Sequence, residues 1–192
     1  MLAARTLSGG MSNVSSLEQP MLERCVRQDP EAFRWFVGRY QRAVFSLLGR
    51  MLGPGAQVED LAQEVFLRAY RGFGAFDPKT NAITWLLTIA TRLALDERKR
   101  RKLSLAPIED ADRVPASDKW KARELGLAIE KAANALSDDQ RAAFVLLEFH
   151  GLSIAEISQI VGAPENTVKT RIFRAKEHMR AALSSFVEGS AS

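Results

Sequence analysis

The chain has 192 residues, 46% of them hydrophobic, and a formal net charge of +4. That apolar content builds a core in one domain or two small ones and excludes a disordered tail, while the basic balance favours a polyanionic partner, nucleic acid or a membrane surface. Cys25 is the single cysteine, which excludes an internal disulfide framework and a cysteine-built metal cage and fits a reducing cytoplasm.

Residues 1–21 are small and polar and read as a flexible leader, with Met11 as a second possible initiator. They hold no apolar run of signal-peptide length, and no later stretch reaches the roughly 20 apolar residues of a membrane span. In "AFRWFVGRYQRAVFSLLGRML", Phe33, Phe36, Val37, Tyr40, Val44, Leu47, Leu48 and Met51 follow helical spacing. Asp29 and Pro30 give the start signal and "GPG" at 53–55 the stop. "VEDLAQEVFLRAYRGF" is a second helix, "GFGAFDPKTN" breaks the pattern, and "AITWLLTIATRLALDERKRRK" resumes it. No segment alternates with period two, so the expected fold is all-α.

Residues 103–119, with two prolines and several acids, read as a flexible linker that lets the flanking domains sample many separations. It divides a helical domain at 22–102 from one at 120–186, followed by a tail at 187–192.

The second domain has the grammar of a helix-turn-helix. Ser137 caps a helix through Leu147, Gly151 ends it, Ser153 caps a short helix through Val161, and Gly162 and Pro164 make the turn. In the helix that follows, "ENTVKTRIFRAKEHMR", Val168, Ile172, Ala175 and Met179 form the buried stripe. At 100° per residue the opposite face carries Asn166, Thr170, Phe173 and Glu177, flanked by Lys169, Arg180 and Arg174. A large aromatic on the outer face of a basic helix suits the major groove, where it can meet thymine methyls while Lys169 and Arg174 reach guanine edges or phosphates. Arg171 lies nearer the core and is expected to contact phosphate or form an intrahelical pair. The competing reading is a plain helical bundle with a solvated basic face.

In the first domain, the helix "EDLAQEVFLRAY" has a narrow polar stripe of Asp60, Glu64, Arg68 and Arg71, with Gln63 alongside. Leu61, Ala62, Val65, Phe66, Leu67, Ala69 and Tyr70 cover the rest. So much apolar surface implies burial on two sides, or a core on one side and a protein partner on the other. On the next helix, Thr84, Trp85, Thr88, Thr91, Arg92 and Lys99 share one side, away from Ile83, Leu86, Ala90 and Leu93. Bases can stack on Trp85 and phosphates can meet "RKRRK".

"DLAQEVFLRAYRGF", "FDPKTNAITWLLTIATRLALD" and "LSDDQRAAFVLLEFHGLSIAEISQIVGAPENTVKTRIFRAK", in this order, resemble a bacterial extracytoplasmic-function sigma factor over residues 22–186. The resemblance implies that the first domain binds the β′ clamp helices of core RNA polymerase and opens the −10 element, and that the second sits near the β flap and reads the −35 element of promoter DNA. Carried over by position, Asp60, Leu61, Gln63, Glu64 and Phe66 become polymerase contacts. Asn81, Thr84, Trp85, Thr88, Arg92 and Lys99 become −10 candidates, and Asn166, Thr167, Lys169, Thr170, Arg171, Phe173 and Arg174 become −35 candidates. The family often has an aromatic near Ala82, arginine near Thr88 and asparagine near Arg92, so the −10 preference of relatives does not carry over to this chain. Ser158 stands where the motif usually has alanine. The resemblance also implies an anti-sigma factor, which could hold the cytoplasmic protein at the inner membrane face.

A stand-alone regulator would explain the helix-turn-helix but leaves the apolar second helix and the Trp85 strip without a use. An adaptor that sequesters an anti-sigma factor would need a receiver domain, and none is visible. Catalysis is not expected, nor any metal or cofactor. His150 and His178 belong to no metal-ligand pattern, no glycine-rich phosphate loop is present, and Glu148 and His150, two apart on a helix, do not face one site. Asp138 and Asp139 read as helix-start acids.

Overall fold

In the computed structural model, residues 18–53, 55–103, 126, 128–129 and 131–188 are described; most of the expected leader, most of the linker and the last residues of the tail lie outside them. The ordered elements are α1 (Gln19–Val26), α2 (Pro30–Leu52), α3 (Ala56–Gly72), a 3-10 turn (Phe73–Ala75), α4 (Ala82–Leu103), α5 (Asp138–His150), α6 (Ile154–Val161) and α7 (Glu165–Glu188). Among the described residues there is no strand, in accord with the expected all-α fold.

Helix α1 begins inside the expected leader. Its Leu22 and Cys25 enter the core, and Glu18 ties its start to α2 by accepting from Arg39 Nε at 2.9 Å and the Tyr40 hydroxyl at 3.4 Å. Burial, followed by the charge of Asp29, pushes the Cys25 thiol up to about 11. Asp29 caps α2 by accepting from the backbone N–H groups of Glu31 and Ala32. A hydrogen bond from Arg24 at 2.8 Å leads the causes that hold its carboxyl below the ordinary value.

The apolar stripe of α2 (Phe36, Tyr40, Val44, Leu47, Leu48, Met51) is buried as its spacing predicts. Phe36 meets Phe73 edge-on at 4.9 Å. Helix α2 packs on α3 and α4, and α3 packs on α4. Gly53 ends α2 at φ 83, in the left-handed region that favours glycine.

The C-terminal half is built on local signals. Ser137 and Gln140 form a capping box at α5, and Ser153 and Glu156 form another at α6. Gly151 and Gly162 end those helices at φ 63 and φ 64, each in the left-handed C-cap conformation. The Ser158 hydroxyl donates to the Ala163 carbonyl at 2.6 Å across the turn, so the serine found in place of alanine has a bond of its own. Ile157, Ile160 and Val168 close the crossing of α6 and α7.

The two halves are not separate bodies. Helix α5 packs on α2 and α6 on α4, and one apolar core runs through both halves, from Leu22 to Ile172. The expectation that they sample many separations is therefore corrected. Linker composition speaks only for the connecting chain, while apolar and ionic contacts between residues far apart in sequence hold the halves together.

His150, at the end of α5, is half-buried beside Arg50; burial first, then the Arg50 charge, lowers its pKa from 6.5 to about 4. Between those values the unfolded chain binds the proton more readily than the folded one, so stability rises with pH through this window and is fully present above it. At about 1.4 kcal/mol per pKa unit, the fold is expected to lose up to about 3 kcal/mol as pH falls from 6.5 toward 4. Urea melts at pH 7 and pH 4.5 on wild type and His150→Gln check this. The variant's loss between the two pH values should be smaller by about that amount.

Candidate promoter and polymerase interfaces

Val168, Ile172 and Ala175 bury the inner face of α7, and Met179 is half-buried beside them. Asn166, Thr167, Lys169, Thr170 and Arg174 are exposed, and Phe173 is 62% exposed. The Thr170 hydroxyl donates to the Asn166 carbonyl at 2.9 Å, leaving its oxygen free to accept. Arg171 behaves otherwise: it is half-buried, and its Nη2 lies 2.6 Å from Asp139 Oδ2 in the first turn of α5. The expected intrahelical or phosphate partner is thus a carboxylate of another helix. Arg171 lies three residues beyond the buried Val168, on the side that α5 covers. A groove lined by Ser137, Gln140, Asn166, Thr167, Thr170 and Arg174 runs beside this pair.

Helix α3 is covered by α2 on one side and α4 on another, which accounts for most of its apolar residues by burial on two sides. Phe66 is 9% exposed, with its ring 6.5 Å from Phe36. As a surface contact it is corrected: Phe66 is a core residue. Asp60 and Gln63 are exposed, Leu61 is half-buried, and Glu64 is half-buried and paired with Arg68 at 2.6 Å. Between Gln63 and Glu64 on the wheel stands Leu67, 50% exposed. It had been counted only as part of the apolar surround, although its spacing of four from Gln63 and seven from Asp60 puts it on the polar stripe.

On α4, Arg92 and Lys99 are exposed and Thr88 is half-buried, its hydroxyl donating to the Thr84 carbonyl at 2.8 Å. Thr84 and Thr91 are buried, which corrects their place on an open strip: α4 carries α2, α3 and α6 around it. The Asn81 side chain caps α4, accepting from the Ile83 N–H at 3.2 Å. Asn81 Nδ2 and the Thr84 hydroxyl both donate to Glu156 Oε1 on α6, each at 3.4 Å. Trp85 is half-buried against Phe73 and Phe76, at 5.1 Å and 4.6 Å between ring centroids. A Cβ on Gly72 would lie 3.2 Å from its ring. Trp85 is thus the outer wall of an aromatic cluster.

The basic end of α4 is also divided. Arg98 donates to the Met51 carbonyl at 2.7 Å, and Arg101 to that of Leu52 at 2.9 Å. Buried Glu97 accepts from Gln57 and pairs with Arg100 and Arg101. Of "RKRRK", Arg98 and Arg101 serve the fold, and Lys99 faces outward.

Residues 36–103 match the family model of Sigma-70 region 2, and residues 126–179 that of Sigma-70 region 4. Over 178 residues the chain is 34% identical to the ECF RNA polymerase sigma factor SigW of Bacillus subtilis (strain 168), covering 83% of this chain and 95% of that one. This chain is an ECF sigma factor. The RNA polymerase sigma-H factor of Pseudomonas aeruginosa is 32% identical over 185 residues, 86% of this chain and 93% of the relative.

Among solved structures, CnrH in complex with the cytosolic domain of CnrY superposes with a TM-score of 0.68 at 22% identity, over 88% of this chain and 97% of that one. The sigma factor RpoE of Bartonella quintana, in complex with the anti-sigma factor NepR, gives 0.65 at 24% identity, over 79% and 96%. Both support the fold.

The sigma factor is therefore a transcription-initiation factor that joins core RNA polymerase and directs it to promoters, and the stand-alone regulator loses its ground, since region 2 occupies the half that it left without a use. Region 2 spans α2 to α4 and region 4 spans α5 to most of α7. Sequence reasoning missed Leu67, for which a wheel gave the signal, and Glu156, whose bonds to α4 are set by contact between the halves and had no local signal. Among the described residues, no group of histidine, cysteine, aspartate and glutamate could hold a metal, and no helix is long and apolar enough to cross a membrane.

Proposed function

We propose that α7 reads the −35 duplex through Asn166, Thr167, Lys169, Thr170, Phe173 and Arg174, with Arg171 holding the helix to α5. One observation carries this reading: Phe173 stands 62% exposed on a helix whose core stripe is already closed. Lys169 and Arg174 flank it, so an apolar contact for thymine methyls sits between two phosphate- or guanine-seeking cations. The −10 strand engages α4 through Asn81, Trp85, Thr88, Arg92 and Lys99. The β′ clamp helices dock on the outer face of α3, at Asp60, Leu61, Gln63, Glu64 and Leu67, while the helix-turn-helix lies near the β flap. An anti-sigma factor, the kind of partner named in the RpoE complex, controls access by covering the α3 face.

In vitro transcription with Phe173→Ala and Arg174→Ala tests the −35 assignment. Each is expected to lose about 1 to 3 kcal/mol per base contact and to relax preference at particular −35 positions, with melting temperatures unchanged. Full rate and unaltered −35 preference in Phe173→Ala would remove the role given to the exposed aromatic.

A further inference from the structure

Five lysines and arginines stand on α7 between Lys169 and Arg180, and their pairing sorts them. Arg171 Nη2 lies 2.6 Å from Asp139 Oδ2 in the first turn of α5, and Lys176 Nζ lies 2.7 Å from Glu148 Oε1 in its last turn. Arg180 pairs only loosely, at 3.8 Å, with Glu177 of its own helix. Among the described residues, Lys169 and Arg174 pair with no carboxylate. The two cations proposed to meet DNA are thus open, and two others are held by α5. On a wheel of about 100° per residue, Arg171 and Lys176 fall about 70° to either side of the centre of the stripe formed by Val168, Ile172, Ala175 and Met179. Each therefore marks a border between the buried stripe and the outer face. Thr167 and Arg174 follow beyond Arg171, and Lys169 follows beyond Lys176. Both pairs are open to water, with the side chains of Asp139 and Lys176 53% and 44% exposed, so neither adds much to stability. Their value lies in where they hold α7.

We infer that Asp139 and Glu148 are positioning residues for −35 reading: they brace α7 on both sides of its buried stripe and withhold Arg171 and Lys176 from the phosphates. This rests on the assignment of duplex reading to α7. Apolar burial has no direction, so the stripe alone resists rotation of α7 about its axis weakly, whereas an ion pair on each side opposes it in either sense. With side-chain tips about 5 to 6 Å from the axis, a rotation of about 10° moves them by about 1 Å. That exceeds the spread of about 0.5 Å over which N–H···O bonds are found, so bonds from Lys169 and Arg174 to base edges depend on the setting. The second effect is electrostatic. Phosphate contacts carry no sequence information, and a released Arg171 or Lys176 would draw α7 onto any duplex and narrow the margin by which the right sequence wins. The Asp139 pair stands in the groove that Asn166, Thr170 and Arg174 also line, so a freed guanidinium there would lie beside the reading face.

The test uses holoenzyme assembled from core polymerase and the full chain. A promoter pool randomised over the −35 and −10 elements is incubated with it and the retained templates are sequenced, while a fluorescein-labelled random duplex is titrated with the full chain across salt concentrations. Asp139→Asn combined with Glu148→Gln should cut enrichment at −35 positions about tenfold and leave −10 enrichment as in wild type. The same variant should bind random duplex several-fold tighter, with the log–log salt slope steeper by about 0.9 for each cation released. Asp139→Glu keeps the carboxylate and should stay near wild type in both assays. A merely structural role for the two acids would weaken every readout together, and weaker random-duplex binding by the double variant would therefore overturn the proposal. So would a flatter salt slope in Arg171→Met, which would make Arg171 a phosphate contact. Phe173→Ala separates the two readings. Lost −35 enrichment in Phe173→Ala but not in the double variant would overturn the bracing and keep α7 as the reader; unchanged enrichment in both would overturn the reading itself and the bracing with it.

Discussion

Phe66→Asp is expected to unfold the N-terminal half of the sigma factor, and Leu67→Asp to leave it folded while abolishing transcription. The neighbours differ because one looks inward and the other outward. Phe66 is 9% exposed and packs toward Phe36, so the aspartate would lose the contacts of a core aromatic, about 3 to 5 kcal/mol, and bury an unpaired charge besides. A domain of ordinary stability, about 5 to 15 kcal/mol, has little left after that. Leu67 is half exposed, where substitutions away from special contacts change stability by within about 0.5 kcal/mol, and a charge there would fall on the face of α3 proposed to meet polymerase. Thermal melts and co-sedimentation with core polymerase separate the two. Wild-type binding by folded Leu67→Asp would move the polymerase contact off α3.

Trp85→Ala is expected to fail on a pre-opened −10 bubble as badly as on duplex promoter, whereas Trp85→Phe is rescued by the bubble. The alanine removes the wall of the Phe73 and Phe76 cluster, with a cost of about 3 to 5 kcal/mol, and leaves a gap over Gly72. The phenylalanine keeps an aromatic in the cluster but offers less surface to an unstacked base. Unfolding curves should place Trp85→Phe much nearer wild type than Trp85→Ala. A fully stable Trp85→Ala protein rescued by the bubble would mean that the indole serves the strand and not the fold.

How much of this was legible in the sequence depended on how local the cause was. Asp29, Ser137, Ser153, Gly151 and Gly162 act within a few residues of themselves, and each ends or starts its helix as its type and spacing implied. The outer face of α7 was legible because that helix is buried along one narrow stripe. Helices α3 and α4 are enclosed on more than one side; on α3 the wheel position of Leu67 was a signal passed over, and on α4 a wheel cannot tell which hydroxyl residue remains in solvent. Hence Phe66 was exchanged for Leu67, and Thr84 and Thr91 were placed outside. Helix α1 was missed because its eight residues hold only two buried ones, too few for a period. Asp138 was read as a helix-start acid, which it is. Its second role, as the anion for Arg98 and Lys102, depends on a contact across 36 residues or more, to which local pattern is blind.

The burial of Cys25 bears on how such a regulator can hear its surroundings. Peroxides and electrophiles react with thiolate, and a thiol raised to about 11 inside a core is almost wholly protonated at neutral pH and out of their reach. The sequence carries no other cysteine. Cys25 is therefore shielded from oxidants and electrophiles while the core stays closed.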